Sequence, residues 1–268
     1  MPTPIGNELA WWCPSLDSVG NGTSALYDLV GSANGTLTNM DASTDWVADT
    51  ASGGVRYLDF DGTNDFIDYG ATLGLAGLSS FSFGCWVHKT AATEIYPLIR
   101  YNTNTAIGSN RRADYFGVEP VTGTLRPICY FSVAGTPSSF QQYTTSSLSV
   151  PLNTWTYVGF SINLATNTGR IFVNGSAVAA TRTSGGTPPT ALAANGTVTW
   201  KSQTYTGSSG TAFYFNGRLD GWRPFSTYLS DASHLALSTS RAYQPGRVRR
   251  KVSDGLFNRG LFNAGLSR

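Results

Sequence analysis

Asp59, Asp61, Asn64, Asp65 and Asp68 crowd into ten residues, with Gly62 and Thr63 between them. Oxygen ligands gathered on one turn are what a hard cation such as calcium takes. The same composition suits an Asx-rich hairpin turn whose side chains bond their own backbone, and the spacing is not that of an EF-hand loop. Glycoside hydrolysis asks for something else, two carboxylates flanking the scissile bond. The only glutamates are Glu8, Glu94 and Glu119, and none has a close acidic neighbour. No Gly-x-Ser-x-Gly elbow, phosphate loop or dinucleotide glycine fingerprint occurs. His88 falls in a strand pattern and His234 in a short helical one, where histidines are structural or solvated. Cys13, Cys85 and Cys129 form no disulfide framework and no zinc-ligand spacing. No motif supports catalysis, and the chain is expected not to be an enzyme.

Aromatic rings offer a second kind of chemistry, stacking on the apolar faces of sugars. Trp11, Trp12, Trp46, Trp155, Trp200 and Trp222 are candidates on composition alone, and most are expected in the core. No glycan-binding residue is singled out. The sequons at Asn21, Asn34, Asn174 and Asn195 all read Asn-Gly-Thr or Asn-Gly-Ser, and are read as turns.

The elements that must position these groups are strands. Charged residues make up 13% of the 268, about half the roughly 25% of an average domain. Thr, Ser, Gly and Asn fill the gap, a mixture that favours strands and tight turns. Phe81, Phe83, Cys85 and Val87 alternate with Ser82, Gly84, Trp86 and His88; Val158, Phe160 and Ile162 alternate with Tyr157, Gly159 and Ser161. That period of two marks half-buried strands. Further strands are expected at 57–60, 66–69, 96–101, 114–118, 127–133, 170–173, 177–180, 197–200 and 213–225, the pattern of a sandwich or barrel. Asn174-Gly175 predicts a two-residue hairpin, and 61–65 a similar turn between 57–60 and 66–69. Residues 184–189 and 206–210 read as loops. Residues 230–239 predict a short helix with Ser230 as N-cap and Asp231 in the first turn.

From residue 244 the pattern breaks. Gly-Leu-Phe-Asn occurs at 255–258 and again at 260–263, behind a basic run at 247–251. Residues 241–268 hold seven basic groups against one acidic, while the remainder holds eleven against fifteen. The tail reads either as a disordered end or as a docking segment through Arg247, Arg249, Arg250, Lys251, Leu256, Phe257, Leu261 and Phe262, whose apolar members are costly to leave in water. Nucleic acid is disfavoured as its partner because no recognition motif accompanies the cluster. There is no signal-peptide pattern and no apolar run long enough for a membrane span.

Six segments, in order, resemble the laminin-G-like branch of the concanavalin A-like lectin/glucanase superfamily: 58–67 (LDFDGTNDFI), 81–87 (FSFGCWV), 155–158 (WTYV), 169–175 (GRIFVNG), 217–222 (GRLDGW) and 229–232 (LSDA). The resemblance covers roughly 8–243. It implies an all-β, two-sheet antiparallel jelly-roll sandwich over 1–243, one short helix near its end, and an extended tail over 244–268. Members usually bind glycans or proteins, often with calcium, and the resemblance points to Asp61, Asp65 and Asp220 as its ligands. No other cofactor is implied. The layout also resembles laminin-G-like proteins encoded by bacteriophages. It implies a non-enzymatic virion structural protein (a head decoration, fibre or tail-associated subunit) made in the host cytoplasm and released by lysis. Its partners would be a capsid or tail subunit, sister copies, or a host-surface glycan, with no membrane. The alternatives are a carbohydrate-binding or adhesion module and a polysaccharide hydrolase.

Overall fold

The computed structural model describes residues 5–50, 54–70, 73–101, 112–121, 124–133, 136–193, 200–203 and 215–239. The strands run in order β1 (Ala25–Leu26), β2 (Gly35–Thr38), β3 (Trp46–Asp49), β4 (Val55–Asp61), β5 (Phe66–Asp68), β6 (Ser80–Lys89), β7 (Ile95–Tyr101) and β8 (Arg112–Val121). They continue with β9 (Thr124–Val133), β10 (Thr136–Thr144), β11 (Trp155–Asn163), β12 (Thr168–Val173), β13 (Ser176–Ala179), β14 (Thr181–Gly185), β15 (Trp200–Gln203) and β16 (Asn216–Phe225). One helix, α1 (Asp231–Thr239), follows. A nine-stranded sheet has the order β1-β2-β5-β15-β7-β8-β9-β10-β14, and a seven-stranded sheet the order β13-β12-β11-β6-β16-β4-β3. All the strand pairings are antiparallel, and the two sheets form a sandwich, as expected for this fold class.

The alternation in β6 builds the interior. Phe81, Phe83, Cys85 and Val87 face inward with Val158, Phe160 and Ile162 of β11. They meet Phe116 and Phe131 of the other sheet: Phe83 stacks on Phe116 at 4.9 Å, and Phe81 meets Phe131 edge-on at 5.1 Å. Burying each such side chain is worth roughly 1.5–3 kcal/mol. The same face of β6 ends on Lys89, which is fully buried. Its Nζ donates to Thr93 Oγ1 at 3.2 Å and lies 5.3 Å from the Phe215 ring centroid. All three cysteines are buried free thiols.

The outer face of the seven-stranded sheet is partly roofed. Leu229 and Leu237 pack on Tyr157 and Phe172, while Trp11 and Cys13 cluster with Val55. The early segment is tied to β16 by backbone bonds: Leu9 N–H to the Pro224 carbonyl at 2.9 Å, Trp12 N–H to that of Trp222 at 3.1 Å, and Ser226 N–H to that of Asn7 at 2.9 Å. Helix α1 is capped as predicted, with the Ser233 N–H donating to Ser230 Oγ at 3.2 Å. Its His234 is sealed between Tyr157 Oη, 2.8 Å from Nδ1, and Ser161 Oγ, 3.0 Å from Nε2. Burial pulls that imidazole's pKa down to about 3, so the ring is neutral.

Asn174 and Gly175 take φ of 49° and 82°, the left-handed pair a two-residue hairpin needs. Other expectations are corrected. The 61–65 turn is not a hairpin: β4 pairs with β3 and β16, β5 with β2 and β15, so the turn carries the chain from one sheet to the other. Residues 181–185 are not a loop but an edge strand, β14. Strands β1, β2, β3 and β10 were not anticipated by the pattern. Residues 206–210 and the tail from 244, with Arg247, Arg249, Arg250, Lys251, Leu256, Phe257, Leu261 and Phe262, lie outside the described residues. No helix among the described residues is long and apolar enough to cross a membrane.

Candidate functional site

The acidic turn is built as an Asx turn. Asp61 Oδ1 accepts the Thr63 N–H at 2.6 Å, and Asp65 Oδ2 accepts the Asp61 N–H at 2.9 Å. Asp65 is buried, which pushes its carboxyl up to about 6. Asp220 does not join them. β16 pairs Asn216 with Asp61, so Asp220 sits four residues further along, roughly 13 Å at about 3.3 Å per residue. There it is buried and accepts the Cys13 thiol at 3.8 Å. Calcium takes six to eight oxygens, and no group of three His, Cys, Asp or Glu among the described residues is placed to hold a metal ion. Asp61, Asp65 and Asp220 therefore do not fit a shared calcium site, because strand register separates them and their oxygens serve the backbone.

The carboxylates hold one surprise. Glu94 and Glu119, 25 residues apart, converge on one phenol: Tyr96 Oη lies 2.8 Å from Glu94 Oε2 and also bonds Glu119 Oε1. Sequence spacing hid this pair, since it forms only when β7 and β8 align side by side. The Tyr96 hydroxyl occupies the space between the two acids, and Tyr96 itself is buried.

The six candidate tryptophans separate cleanly. Trp11, Trp12, Trp46, Trp200 and Trp222 are buried at 8% exposure or less, while Trp155 stays half-buried. Trp155 stands at one end of a row across the unroofed part of the seven-stranded sheet. Strand register sets Asp59 beside Arg218, Arg218 beside His88, and His88 beside Trp155. The four side chains share the outer face because their neighbours Leu58, Leu219, Val87 and Thr156 point inward. The row spans four strands, about 14 Å at about 4.8 Å per strand.

Its geometry is that of a platform with polar ends. The Trp155 ring lies 5.4 Å from His88 and 5.4 Å from Tyr57, edge-on to the latter. The Arg218 guanidinium sits 4.9 Å over the Tyr57 ring, and its Nε pairs with Asp59 Oδ2 at 3.2 Å. Those two side chains are 32% and 34% exposed, so their outer atoms face solvent. Burial raises the Asp59 carboxyl and Arg218 opposes the shift. Ring faces stack on apolar sugar faces, while a guanidinium and a carboxylate bond hydroxyls. The row can hold a polyhydroxylated ligand by contact alone. Composition flagged Trp155; His88, Arg218 and Asp59 were invisible as its partners because only pairing register unites them.

A search of curated protein sequences finds no match. A family model for the concanavalin A-like lectin/glucanases superfamily, of laminin G type, matches residues 61–234. The fold is similar to domain 4 of an extracellular GH43 arabinanase from Geobacillus stearothermophilus, solved with arabinotriose, at 14% identity and TM-score 0.58, covering 87% of this chain and 98% of that one. It is also similar to the binding domain of botulinum neurotoxin DC, solved with SialylT, at 12% identity and TM-score 0.57, covering 89% of this chain and 52% of that one. A heptameric SAP-like pentraxin from Limulus polyphemus matches at 13% identity and TM-score 0.50, covering 70% of this chain and 83% of that one.

Proposed function

The chain belongs to the concanavalin A-like lectin/glucanase superfamily, and within it we propose a non-catalytic module that binds glycans on the Asp59–Arg218–His88–Trp155 row. The observation that carries this reading is Trp155: of the six candidate tryptophans it alone stays accessible, and a charged pair shares its row. The arabinanase domain solved with arabinotriose and the toxin domain solved with SialylT support a saccharide as ligand. The Tyr96 hydroxyl between Glu94 and Glu119 argues against that pair straddling a glycosidic bond. Screening on a broad glycan array, followed by titration of the best binder, tests the reading. Saturable binding that falls at least about tenfold in Trp155→Ala, the loss expected when a stacking side chain worth more than 1 kcal/mol goes, is the expected result. An array with no binder, or a Trp155→Ala protein of unchanged affinity, would refute it.

The repeat-bearing basic tail favours a second role. We propose that residues 244–268 dock the sandwich on a virion protein or on sister copies, making the module a structural subunit of a particle. Four large apolar residues at 256–262 beside a basic run are the supporting feature. A chain ending at residue 244 should fold and still bind its glycan, yet no longer join particles. Normal incorporation of the shortened chain would end this role and leave the glycan reading untouched.

A further inference from the structure

Beyond the Trp155 row, the same sheet face holds a small pocket between the early segment, β6, β11, β16 and α1. Trp11, Gly84, Trp86, Tyr157, Arg223 and Leu237 line it. Its polar atoms are all of one kind. Trp11 Nε1, Trp86 Nε1 and Arg223 Nε and Nη1 are buried with no hydrogen-bond acceptor among the described residues. Trp11 and Arg223 are more than nine-tenths buried. Buried donors normally find acceptors, and four orphans on three side chains of one pocket mark a place for an acceptor from outside.

Charge narrows the ligand. The Arg223 guanidinium stacks 3.8 Å from the Trp11 ring centroid, and Glu8 Oε1 lies 3.6 Å from its Nη1. Asp220, paired with Trp86 across the strands, couples to the same guanidinium. Two carboxylates already accompany one cation, so a further anion gains little and the wanted acceptor is neutral. Size narrows it again. The enclosed space is about 10 Å³, the room of roughly one water-sized atom. Around that space are indole rings, a leucine and a glycine that adds no side chain. An oxygen enters, and a small apolar group rests at the mouth.

We propose that this pocket receives the carbonyl oxygen of a neutral secondary amide, the acetamido group of an N-acetylated sugar. The sugar source rests on the glycan reading above. Tyr157 lies two residues from Trp155 on β11, about 7 Å along the strand, so one short saccharide reaches both.

The test follows the indole N–H resonances of nitrogen-15-labelled full-length protein against N-acetylglucosamine, glucose and N-methylacetamide. N-acetylglucosamine and N-methylacetamide should move the Trp11 and Trp86 signals, and glucose should not. Trp86→Phe, which keeps a ring and removes one donor, should weaken both about three- to tenfold, the loss expected for one net hydrogen bond. N-methylacetamide acting alone would sustain the amide pocket and assign its source to a peptide. Indole signals that ignore every amide, or that respond to glucose equally, overturn the proposal. In that case saturable glycan binding lost in Trp155→Ala would still leave the platform standing.

Discussion

Replacing Lys89 by methionine should stabilise this protein, and the gain should vanish at high pH. Lys89 closes the inward face of β6 with no exposure, held by the Thr93 hydroxyl and a distant carbonyl of Asn216. Burial pulls its ammonium from the ordinary 10.5 down to about 7, with Glu94 opposing. Between those values the unfolded chain binds the proton and the folded chain does not, so stability rises with pH across that window and is flat below it. At 1.36 kcal/mol per pH unit the full rise is bounded near 5 kcal/mol. Methionine matches the volume, removes the titration and forfeits one hydrogen bond worth about 1 kcal/mol. The expected gain is about 2–4 kcal/mol at pH 6.5, shrinking below about 1 kcal/mol at pH 10. Urea unfolding of both proteins at pH 6.5, 8.5 and 10 measures it, because the difference between the curves cancels every other titrating group. A difference that does not change with pH, or a variant less stable throughout, would refute the reasoning.

Three further outcomes follow from the same coordinates. Stability should fall as pH drops from 6.5 toward 3, because the unfolded chain protonates its histidine there while His234 resists to about 3; His234→Gln should flatten that limb in acid-unfolding curves. Asp65→Asn should leave the Asp61 N–H bonded, raise stability at pH 7 by about 1–2 kcal/mol, and abolish the slope between pH 4 and 6, where protonated Asp65 favours the fold. Chelator should leave the melting temperature unchanged, since the turn carboxylates are committed to backbone; a clear drop on chelation, reversed by calcium, would restore a metal to this fold.

What the sequence discloses depends on whether burial is written in apolar residues. β6 and β11 were legible because every inward position carries a hydrophobe, and Asn174-Gly175 because only a few residues accept its backbone angles. β10 was not, because its inward Gln141 is polar and is satisfied by the carbonyls of Leu164 and Pro189. β14 was not, because an edge strand with exposed Thr181, Arg182, Thr183 and Ser184 has no buried side to write. The 61–65 turn announced its Asx chemistry but not its change of sheet, which long-range pairing decides. Trp155 was named among six, and its row required register. Asp220 shows the converse: a residue placed by resemblance near a turn is carried away by four steps of strand.

The bonds between residues 7–12 and β16 bear on mechanics. The pairing is antiparallel, with Glu8 opposite Phe225 and Trp12 opposite Trp222. Tension applied between the early segment and the stretch after Phe225 therefore loads this seam from one end, one bond after another, as a zipper opens. It does not load the strands of the interior in shear. The seam is the element that yields first under pull, and its opening draws Trp11 off Arg223 while both sheets stay closed. A module tethered at one end and holding a surface with its face would thus couple load to its pocket before its core feels the strain.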